Sequence, residues 1–232
     1  MTDDRHARDA PAWLRSYVTR EERFVHGPAS WSLTLPASSE DLFDAEAFES
    51  DERLPYWADL WPSAKRFARF ILDGGCPEAR DGRRVLELGS GIALVSLALR
   101  AVGADALATD YEASALRFAE WNAERNGLAP LRTRTLDWRD PAAELASPLV
   151  VAADVLYERR NAESLASLLP QVVAPGGRAL LADPRRPWRA HLMERLGERG
   201  FEVVERPLGP ELGPGGKEVE IVLLECRRPA PR

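Results

Sequence analysis

The chain is predicted to fold as an α/β domain on a doubly wound, mostly parallel sheet of seven strands, and three observations predict it. From about residue 83 onward, short apolar runs alternate with amphipathic helical stretches, the pattern of β–α units with right-handed crossovers. The run Val85-Leu86-Glu87-Leu88 passes straight into a glycine turn, Gly89-Ser90-Gly91, with a helical pattern behind it. The last two apolar runs are separated only by Pro207 to Gly216, a Gly- and Pro-rich stretch, and so form an antiparallel hairpin.

Taken in order, residues 1–55 form a mixed lead-in, read as a lid on a domain at 56–232. Within it, 11–24 has the spacing of a short amphipathic helix, 30–35 alternates as a strand does, and 40–52 is acidic and solvated. Pro62 suits the first turn of a helix over 63–72, which Gly74-Gly75 ends. Strands are predicted at 83–88, 104–109, 131–135, 148–153, 177–182, 201–205 and 217–226, and helices at 92–102, 112–125, 159–169 and 188–199. Leu149-Val150-Val151-Ala152-Ala153 is apolar throughout, as a strand buried on both faces must be. Asn126-Gly127 marks a helix C-terminus, and Pro175-Gly176-Gly177 a turn before the fifth strand. The pattern contains no repeat and no second domain.

Composition narrows the function. A net charge of −6 argues against general affinity for nucleic acid. Cys76 and Cys226 are far apart, and His6, His26 and His191 are scattered, so neither a disulfide framework nor a metal site is expected. The polar start, Met1-Thr2-Asp3-Asp4-Arg5, lacks an apolar signal core, and no run approaches membrane-spanning length. A cytoplasmic protein without membrane attachment is expected.

The glycine turn suggests the ligand. Backbone without side chains allows close approach, and the helix start behind it offers free N–H groups. Some 20 residues on, Ala106-Leu107-Ala108-Thr109-Asp110 is a second apolar run ending in a carboxylate, which can accept hydrogen bonds from both hydroxyls of a ribose. An adenosine-type cofactor is implied. The third glycine of a dinucleotide motif is replaced by Leu94, which disfavours a nicotinamide-dependent oxidoreductase. S-adenosyl-L-methionine (SAM) carries no phosphate and needs no such glycine. The competing reading of Asp110 is a cap for the next helix.

Four further segments join this one: Pro55-Tyr56-Trp57-Ala58-Asp59-Leu60-Trp61-Pro62, Leu136-Asp137-Trp138, Ala152-Ala153-Asp154-Val155-Leu156-Tyr157 and Leu181-Ala182-Asp183-Pro184-Arg185-Arg186. With them, the chain from Trp57 onward resembles the class I SAM-dependent methyltransferases, whose fold is a Rossmann-like seven-stranded sheet with a C-terminal antiparallel hairpin. Within that superfamily it is similar to the methyltransferase family 16 type of protein-lysine methyltransferases, in particular those of the electron-transfer-flavoprotein β-subunit. The resemblance implies SAM as cofactor and a protein lysine as methyl acceptor. It implies that Trp61 covers the cofactor, and that the backbone of Gly89, Ser90 and Gly91 lies along its methionine and ribose. Asp110 would hold the ribose, Asp137 would accept the adenine amino group beside Trp138, and Ala153 would touch the cofactor. Asp154 and Tyr157 would face the substrate as catalytic residues. Ala93 stands where the family often continues with a third small residue.

The chemistry suits those residue types. A lysine must lose its proton before it can attack a methyl sulfonium, a carboxylate can orient the amine, and aromatic rings shape a dry channel. No metal or covalent nucleophile is required. Plainer readings compete: Trp57 and Trp61 as staples for the lead-in, Trp138 as a loop anchor, Asp154 as a cap for the helix after Glu158, and Arg185 and Arg186 as local ion pairs rather than contacts to an acidic substrate surface. Glu87 would orient the loop or reach the cofactor's amino group through water. A small-molecule N- or O-methyltransferase and a non-catalytic SAM-binding protein remain the alternative functions.

Overall fold

The computed structural model describes residues 10–51, 54–140 and 142–231. An antiparallel hairpin, β1 (Thr19–His26) and β2 (Ala29–Pro36), precedes a short helix, α1 (Ala45–Asp51). The remaining elements run α2 (Pro62–Leu72), β3 (Arg84–Leu88), α3 (Leu94–Ala101), β4 (Asp105–Asp110), α4 (Ala113–Arg125), β5 (Arg132–Thr135), β6 (Ser147–Ala153), α5 (Arg159–Val172), β7 (Val173–Asp183), α6 (Arg189–Glu198), β8 (Glu202–Leu212) and β9 (Glu218–Arg227). The seven-stranded sheet has the order β5-β4-β3-β6-β7-β9-β8. Strands β3 to β7 are parallel, and β9 lies antiparallel between β7 and β8.

Strand periodicity divides the interior in two. Val85, Leu149, Val151 and Leu180 face one core with α2, α3 and α4, while Leu86, Leu88, Val150 and Leu181 face the other with α5 and α6. Alternate side chains of a strand point to opposite faces, so each central strand is apolar on both sides. The chain winds outward in both directions from β3 and β6. The crevice at the carboxyl ends of this pair is where an open α/β sheet binds its ligand.

The lead-in differs from expectation. Over 11–24 the structure has a single 3-10 turn, Leu14–Ser16, followed by β1. Phe24 pairs with Trp31 across the hairpin and the two rings stack 5.5 Å apart, so a strand partner overrides the helical spacing. The hairpin docks through two asparagines of α4. Asn122 exchanges hydrogen bonds with the backbone of Thr34 (2.8 and 3.1 Å), and Asn126 does so with Ser32 (2.9 and 2.9 Å). Four residues of helix rise about 6 Å and two of strand about 6.6 Å, so the amides match the backbone groups they meet. Residues 40 to 49 are largely exposed, as expected, although α1 lies within the stretch; Glu52 and residues 1–9, including His6, lie outside the described residues.

Three boundaries also shift. Strand β8 extends to Leu212, and the loop expected at 207–216 shrinks to a turn after it. Pro207 and Pro210 are tolerated because β8 is an edge strand, whose missing N–H groups interrupt no second ladder. Strand β7 begins at Val173, so Pro175-Gly176-Gly177 is an irregularity inside a strand; a Cβ on Gly177 would lie 2.7 Å from the carbonyl oxygen of Pro148. Helix α3 starts at Leu94, two residues late, because Ala93 adopts a left-handed conformation (φ 63°) that closes the glycine turn. Among the described residues, no helix is long and apolar enough to cross a membrane, and no cluster of His, Cys, Asp or Glu could hold a metal.

Candidate active site

All ten residues proposed from the sequence as cofactor-binding or catalytic line one cavity at the carboxyl ends of β3, β4 and β6. The turn after β3 forms its floor. Gly89 and Gly91 have φ of 64° and 51°, in the left-handed region where a side chain is strained. A Cβ on Gly89 would lie 3.0 Å from the Trp138 ring, and one on Gly91 would lie 3.1 Å from the carbonyl oxygen of Trp57. Bare backbone therefore lines the cavity here. Between them, the Ser90 hydroxyl is buried without a hydrogen-bond partner, an unused polar group at the cavity wall.

Asp110 closes β4 and braces this turn. Its Oδ2 accepts from the Gly91 N–H at 2.8 Å, and its Oδ1 from the Glu112 N–H at 2.9 Å. The second bond reaches the N-cap residue of α4 and not a donor within the helix, so Asp110 braces the approach to α4 without capping it. A carboxylate offers about four acceptor sites, which leaves room for further donors from the cavity. Burial lifts its carboxyl to about 6, against those backbone hydrogen bonds.

Glu87 is buried more completely. Its Oε2 accepts from the Ser96 hydroxyl of α3, and burial pushes its carboxyl up to about 8. The folded chain then holds a proton that the unfolded chain has lost, so stability falls as pH rises from about 4.5 to about 8. Glu87→Gln keeps an acceptor for Ser96 and removes the titration. Its melting temperature is expected to decline less than the wild type's between about pH 5 and pH 8.5, with the gap widest at the alkaline end. Parallel melting curves would assign the effect to another group.

Asp154 forms a second focus of the cavity. This residue has φ 58° and is 5% exposed, and its N–H is tied to the Ala182 carbonyl at 2.9 Å. Ser63 Oγ of α2 donates to its Oδ2 at 3.2 Å, while Arg186 donates through Nε to Oδ1 at 3.0 Å, with Nη2 also 2.9 Å from that oxygen. Burial raises its pKa, and Arg186 and Ser63 oppose the rise. The N-cap position of α5 is Glu158, and the Asp154 carboxylate is engaged by Ser63 and Arg186 instead, so Asp154 is not a helix cap. Lining the same cavity, the Tyr56 and Tyr157 rings meet edge to face at 4.9 Å, and Tyr56 meets Trp61 at 6.0 Å. The Trp61 Nε1–H is anchored on the Tyr56 carbonyl at 2.9 Å. Burial pushes the Tyr157 phenol up to about 12, which keeps it neutral.

Trp138 and Ala153 line the cavity, with Trp138 against the glycine turn. Asp137 also lines it, but its carboxylate is engaged by the backbone and guanidinium of Arg139. Trp57 both lines the cavity and packs on Phe118 at 5.6 Å. Arg185 and Arg186 pair locally, with Glu205 and Asp154. Sequence reasoning missed Ser63 as a partner of Asp154 and Tyr56 as a wall. Tyr56 lay within a quoted motif; only a long-range contact reveals Ser63.

The chain matches the family model described as lysine methyltransferase over residues 48–197. It is 35% identical over 138 residues to the electron transfer flavoprotein beta subunit lysine methyltransferase of Rattus norvegicus, covering 57% of this chain and 52% of that protein. A ribosomal-protein methyltransferase of Thermus thermophilus is 33% identical over 137 residues, covering 59% and 52%. The chain thus spans about half the length of the curated relatives it matches. A solved 16S rRNA methyltransferase of Thermus thermophilus, in complex with AdoMet and guanosine, superposes with a TM-score of 0.61 at 18% identity, covering 91% of this chain and 51% of that one. That likeness establishes the class I methyltransferase fold read from the strand alternation. Because the family model matches more than half of its length, the chain belongs to the lysine methyltransferase family.

Proposed function

We propose that this protein transfers a methyl group from SAM to the side-chain amine of a lysine in a protein. The observation that carries the reading is the cavity itself. It brings together bare backbone, an unpartnered Ser90 hydroxyl and Asp110 with the buried Asp154 and the rings of Tyr56, Trp61 and Tyr157. The glycine turn with Asp110 fits a nucleoside with an amino-acid tail, which needs backbone contacts, hydroxyl acceptors and no phosphate site. Asp110, lifted only to about 6, carries negative charge near neutral pH and favours a ligand of net positive charge.

Bound there, SAM would supply an electrophilic methyl group on a sulfonium sulfur. The chain's own residues do the rest. Asp154 orients the acceptor nitrogen, and Tyr56, Trp61 and Tyr157 exclude water from around it. Desolvation disfavours the charged ammonium and so promotes loss of its proton. The names of the relatives, methyltransferases of a flavoprotein subunit and of a ribosomal protein, support a folded protein as substrate. With Cys76 and Cys226 both free, a reducing cytoplasm is the proposed location.

The test is transfer of labelled methyl from SAM into a lysate of the source organism, separated into protein and small-molecule fractions. Label in a discrete protein, recovered after hydrolysis as methyl-lysine, is expected. Label confined to small molecules would replace the lysine reading with the metabolite alternative.

A further inference from the structure

The turn after β7 is built to aim one arginine. Asp183 ends the strand, 1% exposed, and its Oδ1 accepts the Arg186 N–H at 2.6 Å. Arg185 between them takes φ 62°, which reverses the chain. The reversal sends the Arg186 side chain back to the end of β6, where Nε and Nη2 both meet the same oxygen of Asp154 at 3.0 and 2.9 Å. Its guanidinium also stands 5.7 Å from the centre of the Trp61 ring. The neighbouring arginines go elsewhere, Arg189 to Glu205 at 2.9 Å and Arg185 to the same residue at 3.9 Å.

A carboxylate already matched by a protein guanidinium has little attraction left for an arriving ammonium. It still accepts a hydrogen bond and can still orient a neutral amine. Resting on the lysine-transfer reading above, we propose that Arg186 is a positioning residue that acts through Asp154 as a charge filter, so that the cleft takes the acceptor amine in its neutral form. The neutral nitrogen gives its lone pair to the methyl carbon as the carbon–sulfur bond breaks and its electron pair returns to sulfur. The nitrogen, now positive, then releases its remaining acidic proton to solvent. An ammonium held by an unmatched Asp154 would have no lone pair to give.

The groups facing Asp154 are consistent with this arrangement. Helix α2 contributes the neutral Ser63 hydroxyl, and the β7 turn contributes Arg186 and Asp183. Tyr157, downstream of Asp154, contributes a neutral phenol to the cavity. Asp183 is lifted to about 7, by burial first and by the nearness of Asp154 among further causes, which limits its competition for the guanidinium.

The experiment compares wild type, Arg186→Gln and Arg186→Lys by pH–rate profile and by carboxylate NMR of Asp154. In Arg186→Gln the acid limb of the kcat profile is expected to move up by about one pH unit or more. Near neutral pH, kcat should fall about tenfold with no rise in KM, and part of the loss should return at alkaline pH. Arg186→Lys, which keeps the charge, should hold the limb near its wild-type position. The Asp154 carboxyl should titrate about one pH unit higher in Arg186→Gln than in wild type. An equal loss at every pH, or an unchanged Asp154 titration, overturns the filter. A shifted titration in a wild-type enzyme that forms no methyl-lysine overturns the lysine reading, and the filter with it, while leaving the ion pair standing.

Discussion

Asp154→Asn is expected to cut methyl transfer by about 10²–10⁴-fold while leaving SAM affinity within a factor of about three. Asparagine has nearly the same shape, so Ser63 keeps a partner and the left-handed turn at the end of β6 is undisturbed. The variant lacks the charge that holds Arg186 over the cleft. That guanidinium is 34% exposed, so water takes up much of its lost partnership and the fold should tolerate the change. Turnover with labelled SAM and calorimetric titration of the cofactor, run on one preparation with its melting temperature, would decide. Equal loss of binding and turnover in a folded variant would make Asp154 a cofactor residue and remove it from the acceptor side.

Asp110→Ala is expected to do the opposite, weakening SAM binding roughly a hundredfold or more. Two losses combine. The Gly91 and Glu112 N–H groups lose their acceptor, and each buried donor left unpaired costs about 1–3 kcal/mol. The proposed ribose site also loses both of its acceptor oxygens. Asp110→Asn keeps one of them and should fall between. A dissociation constant for SAM or its demethylated product within about threefold of wild type would place the ribose elsewhere. These two variants should therefore separate binding from turnover.

The sheet was legible because its signal is local. Apolar runs such as Leu149 to Ala153 admit one environment, and a glycine turn behind such a run admits few shapes. The shared lining of the candidate site was legible for a related reason: apart from Trp61, which precedes α2, its residues lie at or just after strand ends, and the fold brings strand ends together. What escaped depended on partners distant in sequence. Nothing within 11–24 announces that Phe24 will stack on Trp31, or that α4 will hold β2 through Asn122 and Asn126. The extent of β8 escaped because Pro207 and Pro210 read as a loop unless the strand is known to lie at an edge. Asp137 illustrates a further limit. Its position near the cavity was foreseeable, but its capture by Arg139, two residues on, was not.

The prolines of β8 bear on how the molecule behaves in company. A seven-stranded open sheet has two free margins, and each could template a strand from another molecule. One margin is β8, where Pro207 and Pro210 lack N–H groups and the register slips between Pro207 and Gly209. The other is β5, only four residues long and carrying the cations of Arg132 and Arg134. Neither offers an uninterrupted, uncharged row of hydrogen-bonding groups. Strand addition is thereby obstructed at both ends of the seven-stranded sheet, even though its interior strands are apolar and strongly β-forming.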